Sequence, residues 1–221
     1  MCGRFTQNYT WDQVHDFLSV FGPPQNLRPR YNIAPTTTID AVRPGESGRE
    51  LVSMRWGLIP GWWKKTVKEL PATFNARAES VAEKPMFRGA FKQRRCIIPA
   101  SGYFEWTGEK GAKQPHLFTA ADGSPILAFA GLWDRWRDPA TAEDVLSCTM
   151  VVSGANAWMT PYHDRMPVLL TQPNFDAWLS GTSGVEVLRP AAEAALREWP
   201  VSPRVNRTGV GDDDPTIILP G

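Results

Sequence analysis

Twenty prolines are scattered through a chain of 221 residues. Each fixes φ and removes a backbone donor, so long helices and long central strands are interrupted wherever one falls. The chain is expected to fold from short elements joined by many fixed turns. A 42% hydrophobic and 21% charged composition supplies enough apolar material for a core and argues against general disorder. The length suits one generous domain or two small ones. With no internal repeat and no linker-like shift in composition, a single domain over residues 1–221 is expected, its tail after about residue 207 peripheral.

Thr10 followed by Gln13 reads as a capping box, and Trp11, Val14, Phe17, Leu18 and Phe21 fall near one helical face. Gly22-Pro23-Pro24 stops that helix. Two strands flank the turn "PGESGRE", and "GWWKKTVKELPATFNARAES" is loop-like. A short helix in "KPMFRGAFKQ" feeds an apolar strand around Cys96-Ile97-Ile98. Two apolar runs around Asp122-Gly123 predict a hairpin. "DVLSCTMVVSGAN" reads as another strand. "QPNFDAWLSG" and "LRPAAEAALREW" read as short helices, and "GDDDP" as a solvated turn. Strands outnumber helices and do not alternate with them, which favours one α+β domain built on antiparallel strands.

A net charge of +1 gives no global field toward nucleic acid or membrane, so any basic surface must be local. No apolar run reaches membrane-spanning length, and no basic-then-apolar leader opens the chain. Cys2, Cys96 and Cys148 are odd in number, far apart and without a CxxC pair. No disulfide framework, metal site or cofactor is therefore expected, and a reducing cytoplasm fits best.

Cys2 carries the chemistry. Removal of Met1 turns it into a 1,2-aminothiol, whose α-amine and thiol have reference pKa values of about 7.7–8.0 and about 8.5. Such a pair condenses with an aldehyde: the amine forms a Schiff base and the thiol closes a thiazolidine ring. The plainer alternative is a frayed or buried cysteine without special use.

The motifs "MCGRF", "RYNIAPT", "RWGLIP", "FNARAES", "RCIIPASGYFEW", "FAGLWD" and "HDRMPV" stand in order along the chain. Together they resemble the SRAP (SOS-response-associated peptidase) family, from Met1 to about Asn206. The resemblance implies a single α+β domain with a barrel-like antiparallel sheet core flanked by short helices. It implies covalent capture of abasic sites in single-stranded DNA by Cys2, through lyase-like Schiff-base chemistry with possible autopeptidase removal of Met1. A monomer is expected, cytoplasmic and at the nucleoid when bound to DNA. N-terminal-nucleophile glutamine amidotransferases also begin Cys-Gly, but Arg4 and Phe5 depart from them.

Opening an abasic sugar and forming an imine both need proton transfer. Glu105, set among aromatics in "GYFEW", suits a general acid with a raised pKa; the alternative is a surface strand-end glutamate. His163, in the loop "PYHDRMP", titrates near neutrality and is a second proton carrier, although a lone loop histidine is ordinarily just exposed. Asn75 can accept from the α-amine and donate to a ligand oxygen, or merely shape a turn. Arg77 faces the same way if the segment is extended, and a guanidinium there holds phosphate. Arg4 and Arg165 are placed with it, each with a structural ion pair as the alternative. Trp62, Trp63 and Trp106 are expected to face single-stranded DNA with the basic residues of "GWWKKTVK" and "FRGAFKQRR". Residues 92–95 equally suit a plain solvated face, and His15 and His116 keep structural roles. Two other functions use the same residues: a cysteine peptidase or amidohydrolase with His163 as base, and a non-covalent single-strand binder in which Cys2 is incidental.

Overall fold

The computed structural model describes residues 2–109 and 111–221. In chain order its strands are β1 (Phe5–Gln7), β2 (Arg30–Ile33), β3 (Thr38–Gly45), β4 (Gly48–Trp56), β5 (Asn75–Arg77) and β6 (Arg95–Ala100). There follow β7 (Gly102–Thr107), β8 (Gln114–Ala120), β9 (Leu127–Arg137), β10 (Asp144–Gly154), β11 (Arg165–Pro167) and β12 (Leu196–Pro200). The α-helices are α1 (Trp11–Leu18), α2 (Arg88–Gln93) and α3 (Phe175–Ser180). No described helix is long and apolar enough to cross a membrane.

Helix α1 starts as its sequence predicts. Gln13 N donates to Thr10 Oγ1 at 3.3 Å, and Thr10 N donates to Gln13 Oε1 at 2.9 Å. It ends earlier than the Gly-Pro-Pro stop: Ser19 takes a left-handed φ of 50°, and Phe21 leaves the buried face.

β3, β4, β10, β9 and β6 close on themselves as a barrel. Antiparallel pairings join β3 to β4, β3 to β6, β6 to β9 and β9 to β10. A short parallel pairing, Ser147 with Arg55 and Cys148 with Trp56, completes the ring. Alternate residues, among them Ile39, Met54, Trp56, Ile98, Phe129 and Met150, form one buried cluster. The opposite set, including Val42, Ile97, Ala130 and Val151, packs with Val14, Phe91 and Trp178 of the helices. Helices cannot fit inside a five-stranded ring, so the first cluster is the lumen. Cys96 and Cys148 are fully buried free thiols in it.

The narrow lumen explains Gly131. A Cβ there would lie 2.8 Å from Cys96 Sγ and 3.1 Å from Ile98 Cγ1. Gly131→Ala is therefore expected to destabilise the fold by about 1–3 kcal/mol, the scale of overpacking. Urea unfolding checks this; an unchanged midpoint would show that the lumen has slack.

The second sheet runs β12-β8-β7-β1-β2. Two sequence expectations fail here. The Asp122-Gly123 turn forms, with Ser124 N donating to Asp122 Oδ1 at 2.9 Å, but its flanking strands do not pair. β8 already carries β7 on one edge and β12 on the other, so β9 crosses into the barrel instead. The helix expected in "LRPAAEAALREW" is only a 3₁₀ turn at Glu193–Ala195 followed by β12. Ala192, Ala195, Leu196 and Trp199 would line one helical face, but the segment from Leu196 on is committed to the edge of β8, and tertiary context overrides the local propensity. Pairing along β8 satisfies the backbone better. "GDDDP" is also more than a solvated turn. Asp212 accepts from Arg30 Nε at 2.8 Å and from Asn32 N at 3.0 Å. Asp214 accepts from Thr216 N at 2.9 Å, and Ile217 is buried against the cluster of Phe104 and Val205.

Candidate active site

Cys2 is not frayed. β1 lies between β7 and β2, and Phe104 N donates to Arg4 O at 3.0 Å, which fixes the chain end from Arg4 on. Cys2 is fully buried, its Sγ 3.9 Å from Arg4 O. Asn75 Nδ2 donates to the Cys2 carbonyl at 2.7 Å. β5 brings Asn75 there by pairing in parallel with β10, Met150 opposite Asn75. Asn75 Oδ1 is buried and has no hydrogen-bond partner among the described residues. Burial raises the Cys2 thiol pKa well above its ordinary value, and the nearby Glu105 charge adds to the rise. The thiol is thus protonated at neutral pH. Met1, whose removal the aminothiol requires, lies outside the described residues.

A cavity of about 560 Å³ opens beside this end of the chain, lined by Gly3, Glu105, Trp106, Gly111, Lys113, Tyr162, His163 and Asn206. It brings together Glu105, His163 and Trp106 of the residues expected from sequence; Cys2, fully buried next to Gly3 in the chain, and Asn75, which donates to the Cys2 carbonyl, do not line it. Glu105 is 2% exposed, and its Oε1 has no partner among the described residues. Burial raises its pKa to about 8, so near neutrality it is a carboxylic acid able to give a proton.

His163 Nδ1 has two neighbours. The Arg165 backbone N–H donates to it at 2.9 Å, and Asp164 Oδ1 lies 2.7 Å away. A neutral ring accepts the first; a protonated ring donates to the second. Desolvation lowers the His163 pKa, so the neutral form holds near pH 7.

The arginines divide. Arg77 is exposed on β5, with buried Ala76 between it and Asn75, so the two share a face as expected of an extended segment. Arg165 pairs with Glu79 at 2.5 Å. Arg4 departs from the phosphate role given to it. Its guanidinium is 9% exposed as a residue and donates to Asn32 Oδ1, Val205 O and Thr208 Oγ1, tying the tail to the sheet. Arg95 likewise leaves the basic surface: it lies 4.3 Å from the Phe91 ring and 4.5 Å from the Trp178 ring, and donates to Phe91 O. Arg94 pairs with Asp134 at 2.9 Å.

Trp62 is half exposed, while Trp63 is tucked in, its Nε1 donating to Thr66 O and its carbonyl accepting from Trp136 Nε1. Lys64, Lys65 and Lys68 around them are exposed. Trp106 Nε1 donates to Asn206 Oδ1 at 2.6 Å, and Asn206 Nδ2 donates to Lys113 O at 3.0 Å. Asn206, Lys113 and Tyr162 are not picked out by the sequence; Asn206 and Lys113 have no chemical pattern beside them, while Tyr162 stands next to His163 in "PYHDRMP" and reads only as part of that loop. Among the described residues no cluster of His, Cys, Asp or Glu could hold a metal ion.

Residues 1–208 match the sequence model of the family described as SOS response associated peptidase (SRAP). The chain belongs to the SRAP family. This SRAP chain is 37% identical over 182 residues to abasic site processing protein YoqW of Bacillus subtilis, covering 81% of this chain and 80% of that one. It is 32% identical over 205 residues to abasic site processing protein YedK of Escherichia coli, covering 89% and 87%. A crystal structure of a Bacteroides thetaiotaomicron protein matches the SRAP fold over 100% of both chains, with TM-score 0.88 and 26% identity. One from Bordetella bronchiseptica covers 91% of this chain and 100% of its own, with TM-score 0.81 and 27% identity.

Asn75→Ala removes both the clamp on the Cys2 carbonyl and the orphan oxygen. If this site performs the SRAP chain's chemistry, the reaction rate is expected to fall roughly 10- to 100-fold, as small misplacements do. Single-turnover kinetics on the folded variant checks this, and a wild-type rate would remove Asn75 from the site.

Proposed function

We propose that this SRAP chain processes abasic sites by capturing them covalently in single-stranded DNA through Cys2. The relatives' shared name, abasic site processing protein, supports the substrate. The observation that carries the chemistry is a chain end clamped by Asn75 beside a cavity that holds a buried, protonated Glu105.

The steps follow from the groups present. After Met1 is removed, the Cys2 α-amine attacks C1′ of the ring-opened sugar. Asn75 Oδ1 accepts a hydrogen bond from that amine, and neutral His163 takes the proton it sheds. Glu105 protonates the oxygen to a hydroxyl, which then takes the proton held by His163 and leaves as water. The iminium gives its remaining N–H proton to the Glu105 carboxylate, so the imine forms and both groups return to their starting state. The Cys2 S–H then adds across the C=N bond, sulfur to carbon and proton to nitrogen, closing a thiazolidine. One water is lost overall and no oxidant or reductant is needed. A thiol kept protonated by burial suits this order, with the amine acting first. It counts against the peptidase reading, which needs a thiolate paired with His163.

The strand itself is held by stacking and charge. Half-exposed Trp62 and the indole of Trp106, fixed by Asn206, offer base platforms worth about 1–3 kcal/mol each. Lys64, Lys65 and Arg77 are exposed for phosphates. The adduct would shield the lesion from strand-breaking elimination.

A denaturing gel tests the reading. Single-stranded oligonucleotide with an aldehyde abasic site should give a shifted species without reductant, and one with a tetrahydrofuran analogue should give none. No shift from protein lacking Met1, or equal shifts from both, would contradict it.

A further inference from the structure

Beside the cavity lies a polar network that the capture chemistry leaves unused. Glu198, on β12, accepts from the Tyr162 hydroxyl through Oε1 at 2.9 Å. Its Oε2 lies 2.8 Å from His116 Nδ1. His116 Nε2 lies 2.9 Å from Thr107 Oγ1. His116 sits directly opposite Glu105 in the β7–β8 register, so the two share a face of the sheet. The network therefore starts at the strand bearing Glu105 and ends at the residue next to His163.

Tyr162 is held on every side that contacts it. Its ring packs edge-on to His116 and to Phe118, each at 5.0 Å, and against Trp158 at 6.2 Å. Its backbone N–H and that of His163 both donate to Met159 O, at 2.9 and 3.1 Å. The Tyr162 phenol is pushed up to about 12 by desolvation and by its bond to Glu198, so it stays a donor through the neutral range. Glu198 and His116 side chains are only 21% and 13% exposed, which makes this more than a surface pair.

We propose that Glu198, oriented by His116, is a positioning residue: it anchors Tyr162, and so sets the turn carrying His163 against the strand carrying Glu105. This rests on the reading that the cavity captures abasic aldehydes. The reason is geometric. Glu105 stands on a strand and His163 on a turn, and the Tyr162–Glu198 bond is a side-chain link between that turn and the sheet. Proton transfer needs its donor and acceptor within hydrogen-bond reach of the reacting atoms.

The test is single-turnover capture of an aldehyde abasic oligonucleotide by the unmodified chain and by Tyr162→Phe, Glu198→Ala and Glu198→Gln. Tyr162→Phe keeps the packed ring and removes only the hydroxyl. Tyr162→Phe and Glu198→Ala are expected to lower the maximal rate roughly 10- to 100-fold, the cost of a misplaced group. The protein concentration giving half-maximal rate should not move. Glu198→Gln should recover most of the rate, because its amide oxygen still accepts from Tyr162. A Tyr162→Phe variant with the parent's maximal rate overturns the proposal. So does a Gln variant as slow as the Ala variant, or a loss that appears only in half-saturation. No capture by the unmodified chain overturns the functional reading and this inference with it.

Discussion

Cys2→Ala is expected to lose the reductant-free adduct with abasic single-stranded DNA while binding the undamaged strand as before. The yield should fall roughly a thousandfold or more, the scale on which removing a nucleophile acts. The loss has a specific form. Alanine keeps the α-amine once Met1 is gone, so an imine still forms, but nothing closes the ring and water reverses it. Borohydride should therefore trap an adduct from the variant that is absent without it. Cys2 is fully buried in the lumen-end cluster with Phe5 and Tyr103, so the alanine also costs on the order of 1 kcal/mol of stability. Circular dichroism separates that cost from the chemical one. A stable adduct formed by the variant without reductant would put the linkage somewhere other than the thiol.

Glu105→Gln is expected to slow capture by roughly 10²- to 10⁴-fold, the range of general acid catalysis. Its pH behaviour is the sharper signature. The parent carboxyl has a folded pKa of about 8 against an ordinary 4.5, so the acid form persists to about pH 8. Because the α-amine must also be neutral, the parent rate should peak near pH 8 and fall above it, whereas the slow Gln variant should rise to a plateau without that fall. Stability also falls with rising pH, beginning at a lower pH. Between 4.5 and about 8 the native protein holds a proton that the unfolded chain has released, so native stability declines as pH rises across that window. An amide in place of the carboxyl has no such proton to lose, and the decline should flatten in Glu105→Gln. Melting curves at pH 5 and pH 8 check this. Parallel pH dependence of melting in parent and variant would show that Glu105 is ionised in the folded state.

What sequence foretells here is local. The Thr10–Gln13 spacing places a capping box, and "PGESGRE" between two apolar runs places the β3–β4 hairpin, because both depend on neighbours only. Glu105 stood out because aromatics surround it in the chain; in the fold Tyr103 shares its face of β7, while Phe104 packs on the other. The failures are non-local. Asp122-Gly123 makes a good turn, but whether its flanks pair depends on β12, which takes the free edge of β8 from beyond residue 195. That same pairing turns an alanine-rich segment into a turn and a strand. Arg4 and Arg95 look like phosphate ligands in a list of basic residues; only burial shows that one ties down the tail and the other lies between rings. Asn206 and Lys113 enter the site from separate segments with nothing beside them in sequence to mark it; Tyr162 has His163 as its neighbour, but only its bond to Glu198, on a distant strand, shows what it is tied to.

Intact-mass analysis of the adduct decides the central claim, that a free terminal amine and its own thiol together bond one abasic aldehyde. Two preparations are compared, one with Met1 removed and one with Met1 retained by inhibiting its aminopeptidase, each incubated with the same abasic oligonucleotide. The processed protein should give a species equal to protein plus whole oligonucleotide less one water, with no reductant present. The Met1-bearing protein, whose Cys2 nitrogen is an amide, should give none. An adduct from the Met1-bearing form, or one that keeps the water, would contradict it.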